Sequence, residues 1–165
     1  MSKYQALPGR HYKNGVQLEN LLLCIGEPLI EWHFGGHRLE LPLSHKLPLY
    51  MREYPQYSRN LGRIAACVSE KYADLRVVDV GANIGDLVAI ARDLCGSPIL
   101  CIEGAAGYTD LLKRKVMQFA DVEVIRAYLG ERTMIENGLA INVNGTGSLN
   151  ISAKGSAELK IMTLD

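Results

Sequence analysis

VVDVGANIGD, residues 77–86, decides how the rest of the chain reads. Leu75 to Val80 is a short apolar run, rich in valine and broken only by Arg76 and Asp79. Such a run suits a strand buried on both faces. Gly81 to Gly85 interrupts it. Asp86 to Leu94 then returns to helical spacing, with Leu87, Ile90, Ala91 and Leu94 on one side. Glycine at a strand-to-helix junction permits positive φ and lets a ligand approach the backbone closely. The N–H groups that open the Asp86 helix favour a nearby carboxylate or phosphate.

The same alternation continues downstream. Ile99 to Ile102 reads as a second buried strand ending at Glu103. Thr109 to Phe119 reads as a helix with Lys113, Arg114 and Lys115 on its outer face, and Val122 to Ala127 as a third strand. Strand, helix, strand, helix, strand implies a parallel sheet with right-handed crossovers. The expected fold class is therefore α/β, a Rossmann-like parallel sheet with helices on both faces. An N-terminal β-hairpin and C-terminal antiparallel strands are added to it.

The flanks support that outline. Leu18 to Ile25 is apolar and ambiguous between strand and helix. Leu29 to Phe34 and Arg38 to Leu41 alternate around Gly35-Gly36, a hairpin signature. Pro42 to Pro55 carries three prolines and reads as a connector. Ser58 to Tyr72 suits a helix capped by Ser58, with Leu61, Ile64, Ala65 and Val68 on one face. This divides the chain into a lead-in, 1–57, and a ligand-binding domain, 58–165. Leu139 to Val143, Ser148 to Ser152 and Glu158 to Leu164 read as strands between polar turns, with Asn144 to Ser148 as a hairpin turn. The chain stops at Asp165 after an apolar strand, and the most apolar strand would lie at a sheet edge. The expectation is an N-terminal piece of a longer protein, or an edge covered by a partner such as a second copy.

Composition narrows the function classes. The chain has 165 residues, with 18 basic and 18 acidic side chains. No basic stripe points to nucleic acid. The apolar stretches are shorter than a membrane span, and Met1 to Gln5 carries no signal core. Cys24, Cys67, Cys95 and Cys101 form no metal-ligand pattern and read as reduced thiols of a cytoplasmic protein. The Asn144 and Asn150 glycosylation triplets then read as chance matches. The expectation is no metal, no nucleic acid and no membrane.

Glu103, at the end of the second strand, can accept hydrogen bonds from both hydroxyls of a ribose. The loop spacing is Gly-x-x-x-Gly, with Asn83 where the dinucleotide fingerprint needs glycine. That disfavours a nicotinamide enzyme. Asp79 can organise the loop amides or take up a ligand's ammonium, directly or through water.

VVDVGANIGD (77–86), CIEG (101–104), DVEVIRAYLGER (121–132) and KIMTLD (160–165) together resemble the FkbM-type methyltransferases. Residues 41–65 are similar to the lead-in of bacterial members. The resemblance implies binding of S-adenosyl-L-methionine and O-methylation of a small molecule or sugar. By that resemblance Asp79, Gly81, Asn83 and Gly85, with Ala82 between them, would hold the methionine end. Glu103 would hold the ribose, Gly104 and Ala105 would lie beside the adenosine, and Ala127 and Tyr128 would border the adenine. The family usually has proline where this chain has Gly104. It also continues into a fourth strand with an acidic motif on the acceptor side. The alternative is therefore a cofactor-binding fragment or interaction module without complete catalytic machinery. A hydroxyl acceptor benefits from a general base. No residue is assigned that role. His37 and His45 are its weak candidates, with a structural role the simpler reading. Tyr50, Tyr54 and Tyr57 read as packing of the lead-in, with a lid over the ligand as the sharper alternative.

Overall fold

The computed structural model of the protein describes residues 24, 26–34, 36–143, 146–151 and 157–164. The apolar run 18–25, apart from Cys24, lies outside them, as do Asn144 and Gly145 of the expected turn. Leu29–Phe34 (β1) and His37–Pro42 (β2) form the antiparallel hairpin, with Trp32 opposite Leu39 and Phe34 opposite His37. Val77–Val80 (β3), Ile99–Ile102 (β4) and Val122–Ile125 (β5) form a parallel sheet in the order β3-β4-β5. Between them run the helices Asp86–Leu94 (α3) and Ala106–Val116 (α4). Two further helices, Leu47–Glu53 (α1) and Arg59–Ser69 (α2), join the hairpin to the sheet.

The expected connector at 42–55 thus contains α1. Pro48 sits in its first turn, where a missing N–H leaves no helical hydrogen bond broken. The C-terminal strands Tyr128–Leu129 (β6), Met134–Val143 (β7), Thr146–Ile151 (β8) and Ala157–Met162 (β9) form one sheet in the order β6-β9-β7-β8. β7 is antiparallel to β8 and β9 as expected, whereas β6 and β9 pair in parallel. This sheet is mixed rather than purely antiparallel.

The core is layered. Val77, Ile99, Cys101, Val122 and Val124 line one face of the parallel sheet and pack against Val88 and Ala91 of α3 and Leu112 and Val116 of α4. Both crossover helices lie on this face. The other face of β3 carries Val78 and Val80, 47% and 52% exposed, so the strand is not buried on both sides as its composition suggested. On their outer side, α3 and α4 meet the lead-in. Phe34, Leu39, Leu41 and Leu47 share a cluster with Ile84, Ala89, Ile90, Tyr108 and Leu111. The lead-in and the glycine-loop domain therefore share a core across residue 57. Of the three tyrosines read as packing of the lead-in, Tyr57 packs against this cluster, 5.6 Å from Tyr50 ring to ring, while Tyr50 and Tyr54 are exposed. Among the described residues no helix is long and apolar enough to cross a membrane, and Cys24, Cys67, Cys95 and Cys101 are free thiols.

Three side-chain expectations change. α2 has helical periodicity, but Leu61 and Ile64 are exposed and Gly62 is buried against Ile90 and Leu94 of α3. The packing face is rotated onto smaller residues because the two helices approach closely. Ser58 stands before α2 with φ 57° and makes no side-chain cap. Lys115, expected on the outer face of α4, is only 6% exposed and sits 5.1 Å from the Phe119 ring centroid. Burial holds its ammonium down to about 8, opposed by the Asp93 carboxylate.

A Cβ on Gly62 would stand 2.4 Å from Ile90 Cγ2 and 3.2 Å from the Ile90 carbonyl oxygen. Alanine gains about 1 kcal/mol of helix propensity over glycine, while overpacking typically costs about 1–3 kcal/mol. Gly62→Ala is expected to lower the unfolding free energy in urea titration, against its propensity.

Candidate functional site

The glycine loop is shaped by its backbone. Gly81 (φ +76°) and Gly85 (φ +84°) occupy the left-handed region, and so does Asn83 at φ 50°. At Gly85 a Cβ would also meet Leu112 Cδ1 at 2.8 Å, so glycine is required there twice over. Ala82 and Ile84, 2% and 1% exposed, anchor the loop between the helices.

The loop amides find partners within the chain. Gly81 and Ala82 N–H both donate to the Ile102 carbonyl, at 2.8 and 3.2 Å, and Gly85 N–H donates to Ala82 O at 2.8 Å. Asn83 N–H donates to Glu103 Oε2 at 2.9 Å. The other carboxylate oxygen, Glu103 Oε1, accepts from Ala105 N–H at 2.7 Å. Glu103 is 8% exposed and is thereby fixed across the end of β4 and the loop. Thr109 Oγ1 reaches the Glu103 and Ala105 carbonyls at 3.0 and 2.9 Å, tying the first turn of α4 to the same point.

The helix opening at Asp86 is not a vacant anion site. Asp86 is half-buried, which pushes its carboxyl pKa up, and backbone N–H groups of Asp86 and Leu87 oppose that shift. The chain supplies its own carboxyl where a ligand's carboxylate or phosphate was expected. Asp79 lies close enough for Asp86 and Glu103 to add to the effect of its burial, which together raise its carboxyl to about 7. Its Oδ2 is buried with no hydrogen-bond partner among the described residues. Burial and Asp79 also push the Cys101 thiol up to about 12, so it behaves as a core residue.

His45 enters the site from the lead-in. Leu47 N–H donates to Nδ1 at 3.2 Å, which leaves the proton on Nε2, 3.2 Å from Asn83 Oδ1. Its ring stands edge-on to Tyr108, and burial lowers its pKa despite the Asn83 hydrogen bond. It is a neutral positioning group for the loop. His37 lies elsewhere, 3.0 Å from Asp93 Oδ1 though off hydrogen-bond direction, and edge-on to Phe119. No sequence spacing marks the pairing of His45 with Asn83.

The remaining site residues gather beside Glu103. Gly104, Ala127 and Tyr128 line a cavity of about 370 Å³ together with Arg126, Glu158, Leu159 and Lys160. A Cβ on Gly104 would fall 2.3 Å from Tyr128 Cε1. The Tyr128 ring therefore occupies the space that a side chain at 104 would need, which explains glycine at this position. Glu158 and Lys160 arrive from β9, remote in sequence from the loop. No protein-family profile matches the chain, and no curated protein matches it either.

Two predictions follow from these contacts. Gly104→Ala is expected to destabilise the fold by about 1–3 kcal/mol, and adding Tyr128→Leu should recover much of that loss in thermal melts. For Asp79, a raised folded-state pKa means that the protonated form favours folding. That stability is present below about pH 4 and is lost as pH rises through about 7. Urea midpoints of wild type and Asp79→Asn should lie together near pH 4 and diverge upward, with the variant the more stable above pH 7.

Proposed function

We propose that the chain binds S-adenosyl-L-methionine and serves methyl transfer to a hydroxyl group of a small molecule or glycan. The observation that carries this reading is the placement of Glu103. Its carboxylate is tied to the glycine loop through Asn83 N–H and stands one residue from the cavity lined by Gly104, Ala127 and Tyr128. Each of its oxygens retains a lone pair, so a ribose can add hydrogen bonds without displacing those already made. The orphaned Asp79 Oδ2 fits a ligand carrying an ammonium or a bridging water.

The arrangement disfavours a dinucleotide. A pyrophosphate needs free amides at the helix opening. Here Gly81, Ala82, Asn83 and Gly85 amides are already engaged. The Asp86 carboxyl already meets the Asp86 and Leu87 backbone N–H groups where a phosphate would lie.

When bound, the cofactor supplies an electrophilic methyl on a good leaving group, so positioning provides much of the catalysis. The chain's part is to hold the nucleoside at Glu103 and the ammonium at Asp79, with His45 fixing Asn83. Both ring nitrogens of His45 are engaged, so it is not a free general base. That favours one second reading, a cofactor-binding module whose acceptor chemistry is supplied from outside these residues. A cytoplasmic location goes with either reading, since four free thiols suit a reducing compartment.

Calorimetry tests the proposal. S-adenosylhomocysteine should bind and NAD should not; the reverse would overturn it. Affinity should tighten between pH 6 and 8 in wild type, as Asp79 ionises through about 7 opposite the ligand's ammonium, and this dependence should vanish in Asp79→Asn. Glu103→Gln should weaken binding about tenfold or more, the scale of a charged hydrogen bond of about 1.5–3 kcal/mol. Transfer of labelled methyl to a panel of glycans and hydroxylated small molecules separates enzyme from module.

A further inference from the structure

The cavity beside Gly104 carries charges from an element remote in sequence from the glycine loop. β9 brings Glu158 and Lys160 to its lining, with Leu159, 4% exposed, between them, and Arg126 lines it from the link between β5 and β6. Glu103 stands one residue away, and its charge contributes to the raised pKa of the Tyr128 hydroxyl, after burial. The residue read as ribose-binding thus directly precedes Gly104 of the cavity lining. At about 370 Å³ the cavity falls at the lower end of the range of about 300–1,000 Å³ that small-molecule sites occupy.

A nucleoside whose ribose rests on Glu103 would place its base in this cavity. Adenine presents an exocyclic N–H donor beside ring-nitrogen acceptors. Replacing the amine by a carbonyl, as in hypoxanthine, reverses the polarity at that point. An ionised carboxylate only accepts, so it attracts the amine and repels the carbonyl. The Arg126 guanidinium complements the ring nitrogens and can lie against the base plane. We propose that Glu158 reads the exocyclic amine of an adenine base, so that the C-terminal strand layer sets the base specificity of the site. This inference rests on the nucleoside reading of Glu103.

The test is calorimetric titration of the full chain and its Glu158→Gln variant with S-adenosylhomocysteine and S-inosylhomocysteine. Circular dichroism confirms that the exposed substitution leaves the fold intact. Wild type should prefer the adenosyl ligand by about tenfold or more, the scale of one good base-edge pairing. Glutamine can donate as well as accept, so the preference should fall to about twofold or less in the variant. An equal affinity of wild type for the two ligands overturns the inference, and so does a preference unchanged in Glu158→Gln. Failure of wild type to bind either ligand overturns the nucleoside reading itself.

Discussion

The organisation of this protein depends on one buried carboxylate. Glu103 accepts from Asn83 N–H at 2.9 Å and from Ala105 N–H at 2.7 Å. These charge-assisted bonds offset the desolvation of an acid that is 8% exposed. They join three things that the chain otherwise only places near each other: the end of β4, the left-handed turn after β3, and the start of α4. Both oxygens are held, so the carboxylate has a fixed direction before any ligand arrives. Preorganisation of this kind lowers the ordering cost of binding.

A second tie runs inward from the lead-in. His45 holds the Asn83 side chain while its own ring is held by Leu47 N–H and packs edge-on to Tyr108. The loop is thus fixed through its backbone by Glu103 and through Asn83 by the segment preceding α1. The hairpin and α1 are consequently part of the site's scaffold. Their apolar residues share a cluster with Ile84, a residue of the loop itself.

The order of β3, α3, β4, α4 and β5 was legible in the sequence because each strand is short and apolar and each helix keeps its period; α3 spans Asp86–Leu94 as its spacing suggested. The glycine positions were legible because left-handed φ leaves few alternatives. What escaped were features set by contacts remote in sequence. The orientation of α2 follows from the close approach of Gly62 to Ile90, and the inward position of Lys115 from the Phe119 ring beneath it. α1 escaped because prolines normally mark connectors, although one in the first turn is harmless. At the site, the acid at 103 and the loop could be read from position alone. The partnership of His45 with Asn83, the Asp86 carboxyl at its own helix opening and the β9 wall of the cavity could not. Each needs two segments whose proximity no local pattern encodes.

Amide chemical shifts report on the central assignment directly, because Asn83 and Ala105 N–H are the two donors that hold Glu103. Titrating isotopically labelled protein with S-adenosylhomocysteine should move both resonances saturably, together with those of Gly104 and Tyr128. Saturable shifts confined to residues remote from the glycine loop and Glu103, or none at all at millimolar ligand, would contradict the account.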